Sequence, residues 1–189
     1  MEKITIKEKV FNVADKWEDL TVSQYVSIAD LYSKSSELIE EDFLVKFILI
    51  ISDMDKDFVE SLYEEELAPF IELIKNFNMN DFKSEKATHF IINEKLYSYT
   101  EASKLTLGEK ISLKLLEKKS LSESETWLNI LSITIRPATK KLNEFDEEVF
   151  DVEPFSGDIE VLEKRKELIK NIKATNAFYI LQGFLDGRK

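Results

Sequence analysis

The sequence contains no cysteine, only four glycines and three prolines, and a single histidine among its 189 residues. The absence of cysteine excludes disulfide scaffolds, thiolate metal sites and cysteine nucleophiles, and it fits a reducing compartment. The scarcity of glycine and proline disfavours a turn-rich all-β fold and favours helices. The longest apolar run covers only residues 47–51, which is far too short to span a bilayer.

Acidic residues are in excess, with 37 Asp and Glu against 26 Lys and Arg, so the formal net charge is −11. A chain of this charge repels phosphate backbones and anionic membranes, and we therefore expect neither nucleic acid nor a membrane as a partner. The charge favours solubility, which is its simplest explanation, and it also suits an encounter with a basic protein surface.

The sequence offers little from which to build a chemical site. His89 is the only histidine, and an acid or base needs positioned partners while zinc normally needs several ligands. The acidic residues between 144 and 158 lack the central glycine and terminal glutamate of a calcium loop, so they are typical of a solvated surface. No glycine-rich phosphate loop is present. We therefore predict no catalytic residue, no metal and no cofactor.

Two short segments predict β-hairpins. Residues 4–13 alternate loosely between apolar and polar, with a turn near Lys7-Glu8. Residues 89–99 form two strand-like runs separated by Asn93-Glu94, and asparagine can adopt the left-handed conformation that such a turn needs.

Each predicted hairpin is followed by a helix with a capping signal. Thr21 with Gln24 and Thr106 with Glu109 are both capping boxes by their spacing. The capping residue, its capping-box partner and the apolar positions all agree between residues 20–28 and residues 105–113. We therefore favour an internal duplication. The alternative is that any extended segment leading into a capped helix has this appearance.

The remaining pattern predicts further helices. One helix carries Trp127 and Leu128 and ends near Arg136, because Pro137 follows. Residues 143–158 predict a loop or a short helix. A long helix then runs from about residue 158 to 182, and its apolar end could dock into a partner or complete the core. The candidate partner-binding residues at this end are Phe178, Tyr179, Leu181, Phe184 and Leu185.

These elements predict a mainly α fold with one or two small antiparallel β-hairpins, an α+β class. We expect a single domain over residues 1–189, with a possible duplicated division into 1–83 and 84–189, each an extended segment or hairpin followed by helices.

The second half arranges its features in a recognisable order. A hairpin ends in Leu96-Tyr97-Ser98-Tyr99, a helix starts at Leu105-Thr106-Leu107-Gly108-Glu109, and an apolar helix closes at Arg136-Pro137. An aromatic-rich acidic stretch and a terminal helix follow. This order resembles small tailed-bacteriophage morphogenesis proteins, which include tail or baseplate-hub assembly chaperones and virion proteins. The family pattern places an acidic residue soon after the helix start, where this chain has Ser112.

The resemblance covers about residues 88–185 and transfers no catalytic residue. It implies an assembly chaperone that binds a tail or baseplate component in the host cytoplasm. We expect this binding to be non-covalent and to use an apolar patch rimmed by acid. Within the shared motif, Gly108 would permit close packing between helix and hairpin, Arg136 would offer a guanidinium to a carboxylate, and Pro137 would end a helix. The alternatives are a structural virion protein, such as a neck, ring or baseplate subunit, and an enzyme of unrecognised type.

Overall fold

The computed structural model describes residues 1–78, 81–87, 89–120 and 122–186. It has the α+β fold predicted from the sequence, with helices predominating and two small antiparallel sheets of two and four strands. The chain divides into two compact units. The first comprises Met1–Lys83 with Lys173–Thr175, and the second comprises Ser84–Ile172 with the chain from Asn176 onward.

The first unit begins with the hairpin predicted over residues 4–13. Strands β1 and β2 pair antiparallel, and the turn between them places Lys7 and Glu8 at φ 48° and 64°. Two positive φ values define a type I′ turn, whose twist matches that of the flanking strands. The elements of this unit are β1 (Glu2–Ile6), β2 (Lys9–Val13), α1 (Val22–Ser33), α2 (Glu40–Ile51), α3 (Lys56–Glu60) and α4 (Glu64–Ile74).

An aromatic cluster fills the core of the first unit. Trp17 meets Phe77 edge-on at 5.2 Å between ring centroids, and Phe77 in turn meets Phe47 at 5.6 Å. Phe47 and Phe77 are completely buried. Edge-to-face pairs of this kind add to the hydrophobic gain from burying the rings.

The second unit contains the four-stranded sheet, in the order β3-β4-β5-β6. Its first hairpin is confirmed, with Asn93 and Glu94 at φ 49° and 63° in another type I′ turn. The elements of the second half are β3 (His89–Ile92), β4 (Lys95–Tyr99), α5 (Leu107–Lys119), α6 (Glu123–Thr134), β5 (Ile135–Leu142), β6 (Glu148–Val152), α7 (Ile159–Ile169) and α8 (Ala174–Asp186).

Strands β5 and β6 correct the sequence-based prediction. The apolar helix ends at Thr134, so Arg136 and Pro137 lie in β5 and do not close a helix. Strand β5 pairs with β4 up to Pro137 and with β6 from Ala138 onward. Proline, which has no N–H to donate, thus lies where the strand changes partners. The prediction of a loop or short helix over 143–158 was wrong for residues 148–152, which form β6, and is confirmed as loop for 143–147 and 153–158.

The single long helix predicted from about residue 158 to 182 is also wrong. The chain breaks after α7, and α8 starts at Ala174. At the break, Lys173 forms an isolated antiparallel bridge with Thr21, and the Ala174 N–H donates to the Leu20 carbonyl at 2.8 Å. These backbone pairs hold Lys173 extended, and the helix cannot continue through an extended residue.

The two units share one order of elements. In each, a hairpin with a type I′ turn leads to a threonine-capped helix and then to a second helix. The chain leaving that second helix returns to the hairpin. The Ala14 N–H donates to the Ile51 carbonyl at 2.7 Å in the first unit, and the Thr100 N–H donates to the Thr134 carbonyl at 2.9 Å in the second. We propose that this shared order reflects an internal duplication.

Substitution of Glu94 by glycine should stabilise the protein by about 0.5–1 kcal/mol, because a side chain is strained at φ 63° and glycine is not. Urea unfolding followed by circular dichroism measures the change. Glu101 has an ordinary φ of −60°, so Glu101→Gly should give no gain and only the entropic cost of glycine. Equal changes in stability for Glu94→Gly and Glu101→Gly would contradict the type I′ turn at Asn93-Glu94.

Candidate functional site

The lone histidine is part of the sheet surface. His89 is exposed on β3, and its ring stacks on Phe150 of β6 at 4.8 Å between centroids and 29° between planes. This contact places the imidazole against the ring of Phe150.

The acidic stretch contains the turn and second strand of the β5–β6 hairpin. Lys140 pairs with Glu148 at 2.5 Å, and Lys141 pairs with Asp151. In the turn, the Asn143 side-chain oxygen accepts hydrogen bonds from the N–H groups of Phe145 and Glu147, both at 2.9 Å. Across the described residues, no three His, Cys, Asp or Glu side chains come together as metal ligands would.

A buried ion pair anchors helix α5 to the sheet. The Arg136 Nη2 lies 3.1 Å from the Glu109 Oε1, and the side chains are only 9% and 1% exposed. The same Nη2 donates to the Thr100 hydroxyl at 2.6 Å. Glu109 also completes the predicted capping box, because its Oε2 accepts from the Thr106 N–H at 2.6 Å. The expectation that Arg136 meets a carboxylate is therefore confirmed.

A second buried guanidinium lies near the first. The Arg165 Nη1 donates to the Ser132 carbonyl at 3.1 Å. Burial, and then the nearby charge of Arg136, lower the pKa of Arg165, while Glu153 acts in the opposite direction. Arg165 thus joins α7 to α6, whereas Arg136 joins β5 to α5. In the sequence, Arg165 stands among interleaved charges, and nothing there marks it as buried.

Gly108 does not play the packing role expected of it. A Cβ at this position would meet nothing within 4 Å, and the residue is exposed. Close approach between α5 and the hairpin is therefore not what requires glycine here.

Gly108→Ala should stabilise the protein by about 0.5–1 kcal/mol, because alanine has the higher helix propensity and the site has room for it. The midpoint of thermal unfolding reports the gain. Gly157→Ala is the matched control, since Gly157 lies outside any helix and gains no helix propensity. A loss of stability in Gly108→Ala would restore the close-packing interpretation.

The candidate partner-binding residues lie on α8, mostly inside the fold. Leu181 and Phe184 are each only 5% exposed, so they are core positions and not a free surface. Phe178 is half-buried with its ring edge-on to Trp127 at 6.5 Å. Leu185 belongs to α8, but its side chain lies outside the described residues. Much of the apolar stripe on α8 therefore packs into the protein's own core, which was the alternative to partner binding.

Tyr179, the remaining candidate, lines a cavity. Its ring meets Tyr99 edge-on at 6.4 Å, and both border a space of about 440 Å³ with Glu101 and Gln182. Burial, followed by the charge and hydrogen bond of Tyr179, raises the pKa of Tyr99. A tyrosine held in its neutral form can donate a hydrogen bond but supplies no base at neutral pH.

A second, unexpected apolar row lies on helix α5. We call it the α5 row: Leu107, Ile111 and Leu115, which are 74%, 49% and 54% exposed. Residues four apart share one side of a helix. The opposite side of α5 is the one that faces the core, since it carries the buried Glu109 and Leu113. The side chains of the α5 row therefore do not contribute to the core.

Three lysines run beside the α5 row. We call Lys110, Lys114 and Lys118 the lysine row; each lies three residues after a member of the α5 row and is exposed. None of the three forms an ion pair within the described part of the chain. Lys110 and Lys114, together with Leu107 and Ile111, line a groove of about 600 Å³ whose floor includes Phe184. Glu117 also lines the groove, so the patch is bordered by two lysines and one glutamate, where an acidic rim was expected.

The β5–β6 connection carries exposed apolar side chains in acidic surroundings. We call residues 142–149 the hairpin tip. Leu142, Phe145 and Val149 are 63%, 75% and 39% exposed. Glu144 and Asp146, which flank Phe145, form no ion pair among the residues that the structure describes.

Comparison of the chain with protein families, with curated proteins and with solved structures finds no match in any of the three. No helix in the described ranges has the length and apolar character needed to cross a membrane.

Proposed function

We propose that the protein is a non-enzymatic assembly factor for a phage tail or baseplate, which binds a tail component as a chaperone before that component is incorporated. The proposal that the protein binds another protein is supported by the α5 row. These apolar side chains are exposed on a helix whose opposite side already faces the core. The phage context comes from the sequence resemblance over residues 88–185. Apolar side chains grouped in this way mark protein-interaction surfaces.

The charges around the groove define the chemistry of the partner. The lysine row gives this face a positive rim on a chain whose net charge is −11. An apolar segment flanked by Asp or Glu would place its anchors in the groove and its carboxylates against the lysines, which favours specific encounter. Binding of this kind is non-covalent and needs no cofactor.

The test is affinity capture from host cells that express the complete source genome, with the bound proteins identified by mass spectrometry. The wild-type chain should retain a tail or baseplate component, and Ile111→Glu should lose it, because a charge in the groove opposes apolar docking. Ile71→Glu is the matched control, since Ile71 is 46% exposed on α4 and Ile111 is 49% exposed on α5. Capture that survives Ile111→Glu, or that yields no tail component, would overturn the proposal.

A structural virion protein is the second candidate, and the hairpin tip favours it. A subunit that persists in the particle needs two complementary surfaces, and the acidic tip and the lysine-rimmed groove are opposite in charge. Mass spectrometry of purified particles separates the two candidates. Presence in the virion at a fixed copy number would rule out a pure chaperone and favour the structural role.

A further inference from the structure

The hairpin tip has the properties of a ligand rather than of a surface that completes the fold. Phe145 is 75% exposed although it is a large aromatic residue, and its position is fixed by the Asn143 side chain, which accepts the Phe145 N–H. Glu144, Asp146 and Glu147 surround it. An exposed aromatic on an ordered turn presents apolar area with little entropy left to lose on binding.

The groove beside α5 has the complementary properties. It is open, about 600 Å³ in volume, and bordered by Leu107, Ile111 and Phe184. Its rim carries Lys110, Lys114 and Glu117, with Lys118 one turn beyond Lys114 on the helix. A cavity of this volume can accept an aromatic side chain and its neighbours.

We propose that the hairpin tip of one copy of the chain docks into the α5 groove of a second copy, so that the protein associates head to tail. The inference concerns the same face as the proposed function, so a second copy of the chain and a tail component would compete for the groove. Phe145 enters the groove, and Glu144 and Asp146 lie against the lysine row.

The charges on the hairpin support this pairing. The lysines at its base, Lys140 and Lys141, are neutralised by Glu148 and Asp151, so the charge presented at the tip is acidic. The groove is lined by two lysines and one glutamate, so its net charge is basic. Unlike charges at the rim steer encounter and fix orientation, while the apolar centre supplies most of the affinity.

The geometry of the association follows from the two surfaces being different. Each copy offers one tip and one groove, so the contact is heterologous and leaves a free tip at one end and a free groove at the other. Such contacts build either a closed ring or an open filament. Association is therefore expected to proceed beyond the dimer.

Sedimentation velocity over a concentration series tests the inference. The wild-type chain should form species larger than the dimer, and high salt should shift the population towards the monomer because it screens the rim charges. Phe145→Ala and Lys114→Glu should each weaken association by about tenfold or more. Lys3→Glu makes the same charge change at an exposed position of β1 and should leave association unaltered.

Mixing the two variants provides the decisive measurement. Phe145→Ala keeps its groove and Lys114→Glu keeps its tip, so an equimolar mixture should form a one-to-one dimer and nothing larger. A monomeric wild-type chain at every concentration, or an oligomer indifferent to both substitutions, would overturn the inference. If association is absent while Ile111→Glu still abolishes capture of a tail component, the proposed function stands and the head-to-tail contact does not.

Discussion

Arg136→Met should lower the free energy of unfolding by about 3–5 kcal/mol, because it leaves the carboxylate of Glu109 buried without a compensating charge. Glu109 is only 1% exposed, and the Thr100 hydroxyl loses its donor as well. Urea unfolding of the purified chain, followed by far-UV circular dichroism, measures the loss.

A double substitution separates the buried charge from simple packing. In the first unit the capping-box position is occupied by Gln24, whose side-chain amide donates to the Ile50 carbonyl at 2.8 Å. Arg136→Met with Glu109→Gln should therefore regain more than half of the lost stability, since a neutral glutamine can still cap α5. The exposed pair of Lys104 and Glu101 is the control, and Lys104→Met should cost about 0.5 kcal/mol or less. Equal losses in the single and double variants would show that the charge is not the cause.

Phe47→Ala should destabilise the protein by about 3–5 kcal/mol, because the ring is completely buried and its removal leaves a cavity in the aromatic core. Phe47 packs against Phe77 and stacks on Phe43 at 6.1 Å between centroids, so several contacts are lost together. The shift of the urea midpoint, at constant slope, reports the change.

The same substitution at the hairpin tip is the control. Phe145 is 75% exposed, so Phe145→Ala should change stability by about 0.5 kcal/mol or less. A small effect at Phe47 or a large effect at Phe145 would contradict the burial described for these rings. The control also shows whether the tip variant used in the association experiment remains folded.

The elements that were predictable from the sequence depend on signals between neighbouring residues. The two hairpins are marked by their alternation and by Asn93 at a turn. The helix starts are marked by Thr21 and Thr106, each with its partner three residues later. Such signals lie within a few residues and need no knowledge of the tertiary structure.

The elements that escaped prediction depend on partners elsewhere in the chain. The break before α8 follows from the pairing of Lys173 with Thr21, and nothing near Lys173 in the sequence announces it. Strand β6 was not predicted because its acidic residues are typical of a solvated loop. In the structure, Glu148 and Asp151 of this strand pair with Lys140 and Lys141 of β5.

The candidate site was less predictable than the fold for a related reason. Helical periodicity shows that apolar residues share a side, but it does not show which side the rest of the chain covers. On α8 the apolar stripe includes the buried Leu181 and Phe184, whereas on α5 the exposed Leu107, Ile111 and Leu115 are additional to the buried side. Only the packed structure distinguishes the two cases.

The pairing of Thr21 with Lys173 has a consequence for folding during synthesis. The ribosome completes residues 1–83 first, yet the segment that bonds the Leu20 carbonyl is made only after residues 84–172 have followed. Domains generally fold in the order of their synthesis, but here residues 1–83 acquire backbone partners from Lys173 and Ala174, which are made only after residues 84–172. A nascent chain that stops short of Lys173 leaves the edge beside Thr21 unpaired.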